Sequence, residues 1–158
     1  MIELLVTVAI IGILAGLLFA VIPAIIRRAE LARCTNNLKQ LHVIFAAYVQ
    51  EKGHWPQAPE NQDPSSAVSE NWWLTEMKDY GSTLTIWQCP TFKRLVTARS
   101  GNGRPKLSYS PTSFDSLPNT PFRWTTQPWF IEDADMHGHG ALLCFPDGSV
   151  RPMDEVVK

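Results

Sequence analysis

Glu3-Leu4-Leu5-Val6-Thr7-Val8-Ala9-Ile10-Ile11-Gly12-Ile13-Leu14-Ala15-Gly16-Leu17-Leu18-Phe19-Ala20-Val21-Ile22-Pro23-Ala24-Ile25-Ile26 decides how the chain is organised. From Leu4 to Ile26 the run contains no charge, and 23 helical residues span roughly 34 Å, enough to cross a bilayer core. A carboxylate at the head of such a run is costly unless something neutralises it, which makes Glu3 a functional candidate. Gly12 and Gly16 form a small-xxx-small step that permits close helix approach, although small residues are frequent in any membrane helix. A secretory signal peptide fits less well: there is no basic start, the run is too long, and it continues without a clear cleavage site into a helical pattern.

Beyond the run, Leu31, Cys34, Leu38, Leu41, Phe45 and Tyr48 step by three and four, one apolar stripe on a helix. Gly53 supplies the stop and Pro56 prevents resumption, so a single helix of about fifty residues is predicted, kinked at Pro23. Three regions follow: a hydrophobic membrane helix over 1–26, its amphipathic continuation over 27–53, and a head over 54–158. The net charge of −1 conceals a split between a basic collar over 27–53 and a mildly acidic head. No basic patch with interleaved aromatics is present, and no nucleic-acid partner is expected.

In the head, Pro56–Ser69 reads as a loop and Asn71–Met77 as a short helix. Leu84–Cys89, Leu107–Ser110 and Trp129–Ile131 read as strands, with a turn at Gly101-Asn102-Gly103. Ala141–Phe145 and Ser149–Met153 flank Pro146-Asp147-Gly148, a hairpin signal. The expected fold class is therefore α+β, a long N-terminal helix packed on a small antiparallel sheet.

The order Ile2-Glu3-Leu4-Leu5-Val6, continuing through Val8–Ala15, resembles the N-terminal segment of type IV pilins and type II secretion pseudopilins. His137, nine residues, then Asp147-Gly148 resembles the C-terminal signature of a large bacterial family of prepilin-like proteins. Asn36–Leu41 and Cys89-Pro90 are similar to that family's middle segments. The resemblance implies a pilin-like subunit without chemistry of its own, held in the bacterial inner membrane with a periplasmic head and polymerised through its N-terminal helix. Its implied partners are a prepilin peptidase, an assembly ATPase with its platform membrane protein, and other subunits of a homo- or hetero-oligomeric filament. Glu3 would pair with the free, often methylated, amine of a neighbouring subunit, since a buried charge is tolerated only when paired. Such precursors are cut after a glycine to leave four residues before that glutamate, so Met1 is expected to be an internal methionine. If Met1 is the true start, Arg27 and Arg28 reverse the membrane orientation by the positive-inside rule.

The resemblance also implies a Cys34–Cys89 disulfide; the alternative leaves all three cysteines reduced, and Cys144 reads as a buried thiol. The cysteines have no metal-motif spacing. Glu132, Asp133, Asp135, His137, His139 and Asp147 invite a calcium reading, because some pseudopilins bind calcium near the C-terminus, but their spacing fits no ligand motif. His137 is expected to hydrogen-bond to the hairpin at Asp147 and Gly148. No nucleophile elbow, P-loop or dinucleotide fingerprint points to an enzyme. The rival reading is a non-polymerising membrane-anchored module whose Trp-rich head binds carbohydrate or protein, with Trp72 and Trp73 exposed for stacking; core packing is the simpler use of those rings.

Overall fold

The computed structural model describes residues 2–59, 67–99, 107–117, 119–138 and 140–157. Helix α1 (Ile2–Lys52) runs for 51 residues, roughly 76 Å. Pro23 lies inside it without dividing it in two. At the far end Gly53 takes a left-handed φ of 75°, and its N–H bonds to the Val49 carbonyl at 2.9 Å. That conformation favours glycine and closes the helix.

The two halves of α1 differ completely in what they touch. Leu4, Ile11 and Phe19 are 72%, 66% and 74% exposed, and the apolar span as a whole is unburied. Thr7 turns its hydroxyl back to the Leu4 carbonyl (2.8 Å), removing the one polar side chain of that span from its surroundings. From Cys34 onward the stripe is covered: Cys34, Leu38, Leu41, Ile44, Phe45, Tyr48 and Val49 are buried against the head. Burying a large apolar side chain stabilises by about 1.5–3 kcal/mol, so this stripe anchors the head.

The head is α+β. Helices α2 (Ala67–Glu76) and α3 (Pro90–Arg99) precede strand β1 (Tyr109–Pro111). A short α4 (Thr120–Arg123) follows, then β2 (Phe130–Glu132), β3 (Leu142–Cys144), β4 (Val150–Pro152) and a terminal turn of helix, α5 (Met153–Val156). The strands pair antiparallel in the order β1-β2-β3-β4, with Tyr109 opposite Glu132, Phe130 opposite Cys144 and Leu143 opposite Arg151. The β3–β4 hairpin turns through Pro146-Asp147-Gly148, where Gly148 has φ 75° and Asp147 Oδ1 accepts the Ser149 N–H at 2.8 Å. Helix α1 lies against β3, β4 and α3.

Leu84–Cys89 departs from the strand expectation. It forms successive turns, with the Ile86 N–H bonded to Thr83 and the Trp87 N–H to Leu84. Pro90 opens α3 rather than ending a strand, because a first-turn helical position needs no N–H. Helix α2 starts four residues before Asn71, inside the stretch read as loop. The Gly101-Asn102-Gly103 turn and Met1 lie outside the described residues.

Aromatic rings fill the space between α1 and the sheet. Phe45 meets Trp55, Trp73, Trp87 and Phe130 at centroid distances of 5.1, 5.6, 6.0 and 4.7 Å. Trp55, Trp73, Trp87 and Trp129 are buried, Trp72 is partly covered and Trp124 is half-exposed. Phe45→Ala should lower the unfolding free energy by roughly 3–5 kcal/mol. Val43→Ala, 65% exposed on the same helix, should change it by less than about 0.5 kcal/mol. Urea denaturation followed by tryptophan fluorescence checks both; equal losses would mean that the stripe faces elsewhere.

Candidate functional site

Glu3 sits in the first turn of α1 and is exposed, at the far end of the apolar span from the head. A Cβ added to Gly12 or Gly16 would meet nothing within 4 Å, so within one chain both positions present smooth helix surface. Arg27 and Arg28 stand where the span ends. Just below them Glu30 receives both Arg94 terminal nitrogens (2.6 and 3.2 Å) and the Thr91 hydroxyl (3.0 Å), which ties α3 to α1.

Deeper in the head a second group of functional side chains converges. Cys34 of α1 is disulfide-bonded to Cys89, with Cα atoms 5.2 Å apart and a sequence separation of 55. In the chain-entropy account, closing a loop of that length stabilises by about 4 kcal/mol. Cys89 is held by its own N–H, which donates to Ser108 Oγ at 2.9 Å. Cys144 is a buried free thiol whose S–H points to the Leu38 carbonyl; burial pushes it up to about 12, so it stays a neutral thiol.

Two more residues close on the bridged sulfurs. Strand alternation turns Phe130 and Glu132 inward and Ile131 outward, which drives a carboxyl into the core beside Tyr109. Glu132 Oε2 accepts the Leu142 N–H at 3.2 Å. Its other oxygen, Oε1, is buried and accepts no hydrogen bond among the described residues. It faces His137 Nε2 at 3.5 Å, and the same Nε2 lies 3.6 Å from Cys89 Sγ. The His137 backbone is set by Asp135, whose Oδ1 accepts the N–H groups of His137 (3.2 Å) and Gly138 (2.7 Å). One ligand-capable atom from each of Cys34, Cys89, Glu132 and His137 lies within 4.8 Å of all the others.

The His137 ring is thus directed through Nε2 to the disulfide and Glu132. The hairpin's anchor on α1 is His42. Its Nε2 lies 2.9 Å from the Pro146 carbonyl, its ring stacks on Trp129 at 4.7 Å, and a Cβ on Gly148 would come within 3.4 Å of it. His42 borders the apolar stripe beside Leu41, the one signal in the sequence that hinted at a covered position. Asp147 is engaged by the Ser149 N–H and, at 3.8 Å, by Arg151. Asp133 accepts the Ser110 hydroxyl at 2.6 Å. Of the residues considered for calcium, Asp133 and Asp147 thus make local contacts apart from Glu132, Asp135 and His137, which gather near the disulfide; His139 lies outside the described residues.

Among known proteins, the chain matches no family model, no curated protein and no solved structure.

Burial, assisted by the charges of Asp135 and Asp133 and opposed by the Leu142 N–H, raises the Glu132 carboxyl from 4.5 to about 7. A raised folded-state value means that the native protein holds this proton more tightly than the unfolded chain. The resulting stability is complete below pH 4.5 and is lost as pH rises towards 7. Glu132→Gln should therefore flatten a fall of roughly 3 kcal/mol across that window. Urea midpoints at several pH values read this directly, and an unchanged slope in the variant would exclude Glu132 as its source.

Proposed function

We propose that this chain is a pilin-like structural subunit, a pseudopilin or minor pilin, of a type II secretion or type IV pilus-like filament. The observation that carries the proposal is one continuous helix divided into an unburied apolar half headed by Glu3 and a half buried in an α+β head. A helix apolar all round needs lipid or other helices around it, and one span satisfies both needs in turn. In the inner membrane the span is an anchor with the head on the periplasmic side. Extracted from the membrane, the same surface bundles with copies of itself or related subunits.

Within such a bundle Glu3 is the one acidic group of the span, and its partner is the N-terminal amine of a neighbour. The pair sets axial register, because a subunit shifted along the bundle leaves both charges unpaired in an apolar setting. Gly12 and Gly16 allow backbones to approach closely. A prepilin peptidase exposes the amine, and an assembly ATPase with its platform protein drives polymerisation. The Cys34–Cys89 bond and the Glu30–Arg94 contact keep the head from peeling off the helix during extraction. The rival, a carbohydrate- or protein-binding module anchored by the same helix, has less support because Trp55, Trp73, Trp87 and Trp129 are used in the core.

Glu3→Ala should leave membrane insertion intact while abolishing incorporation into filaments. Removing one partner of a buried ion pair costs about 3–5 kcal/mol, equivalent to more than about a hundredfold in subunit affinity. Membrane fractionation and in-cell crosslinking of wild type and variant measure both properties. Equal crosslinking of the two, or a wild type that never crosslinks to another subunit, would contradict the proposal.

A further inference from the structure

We propose that Cys34, Cys89, Glu132 and His137 form a binding site for a zinc ion when the two cysteines are reduced, so that the head is closed by a disulfide under oxidising conditions and by a metal otherwise. This is independent of filament assembly.

A disulfide alone requires only its two cysteines, and it makes no use of the carboxyl oxygen that Glu132 turns towards it. That carboxyl is fully buried, Oε1 accepts no hydrogen bond among the described residues, and it faces His137 and the sulfurs. Burying a carboxyl without using both of its oxygens is costly, so such a group calls for an explanation. Two sulfurs, an imidazole nitrogen and a carboxylate oxygen are a donor set suited to zinc. A hard cation such as calcium prefers oxygen donors throughout. In tetrahedral zinc the donor atoms stand roughly 3.3–3.8 Å apart. Here all four lie within 4.8 Å of one another, with His137 Nε2 3.6 Å from Cys89 Sγ and 3.5 Å from Glu132 Oε1. Once the S–S bond is broken, the sulfurs need only swing apart about their Cα–Cβ bonds.

The supporting shell is also in place. Ser108 Oγ holds the Cys89 N–H, the Leu142 N–H holds Glu132 Oε2, and Asp135 sets the His137 backbone. Contacts of this kind orient ligands and are typical of metal centres. The four ligands come from α1, the turn before α3, the end of β2 and the β2–β3 connection. A bound ion would therefore tie the helix to the head at the point where the disulfide does.

The interconversion balances. A dithiol reductant donates two electrons and two protons, breaking the Cys34–Cys89 bond and becoming a disulfide itself. Zinc then displaces the two thiol protons to solvent and is held by two thiolates, the Glu132 carboxylate and the neutral His137 ring.

The test uses the full chain in detergent, reduced with excess phosphine, freed of reductant anaerobically and checked for three free thiols after denaturation. Cobalt(II) serves as the spectroscopic probe. The reduced protein should develop tetrahedral cobalt bands and a thiolate-to-cobalt charge-transfer band that saturate at one ion per chain and vanish on adding one equivalent of zinc. The oxidised protein should develop neither. Glu132→Gln and His137→Ala should each weaken binding by at least about tenfold, Cys34→Ser should abolish it, and Cys144→Ser should leave it unchanged. If the metal-free reduced chain loses its fold, recovery of the folded circular dichroism spectrum with zinc supports the site. Failure of zinc to restore the fold overturns it. A folded, fully reduced protein without the charge-transfer band, or one indifferent to changes at Glu132 and His137, also overturns it.

Discussion

Packing of the apolar stripe from Cys34 to Val49 against the aromatic head is the interaction on which the rest of the molecule depends. It fixes the rotational setting of α1, and because the helix is continuous it also fixes the unburied apolar half. Phe45 lies at the centre of this contact, with rings from four other segments around it. The small sheet has three-residue strands, too short to be stable alone. It acquires stability by lying against the helix. The head is therefore organised around α1 rather than attached to it.

Much of this was legible in the sequence because the signals are local. The period of Leu31, Cys34, Leu38, Leu41, Phe45 and Tyr48 specifies a buried helix face, and Gly53 specifies its end. Pro146-Asp147-Gly148 specifies a turn whatever surrounds it. Leu84–Cys89 misled because alternation is shared by strands and by successive turns whose large residue points inward. Trp87 is the buried one there, its Nε1–H bonded to Ser82 Oγ at 2.7 Å. Pro90 was ambiguous for a related reason: it ends a strand and starts a helix equally well.

The group around the disulfide was illegible for the opposite reason. Cys34, Cys89 and the Glu132–His137 pair lie far apart along the chain, and no spacing rule joins them. Glu132 carries no sequence mark to separate it from Asp133 and Asp135, yet strand alternation buries it while Asp133 is left exposed. The contact of His42 with the Pro146 carbonyl carried no sequence signal of its own, because hairpin proximity is decided by how β3 and β4 cross α1. Such residues become visible only after the helix has been placed on the sheet.

In the proposed filament subunit, an exposed apolar span and a covalently fastened head would answer one mechanical requirement, that the chain move as a unit between surroundings of different polarity. The head's ties to the helix, Cys34–Cys89 and Glu30–Arg94 among them, lie close to the junction between span and head. Filament assembly as proposed requires a processed N-terminus, which mass spectrometry of the N-terminal peptide of the native protein detects. A processed filament subunit should yield a peptide that begins two residues upstream of Met1 and carries a methylated amine. A native peptide that begins at Met1 would contradict it and leave a simple membrane anchor.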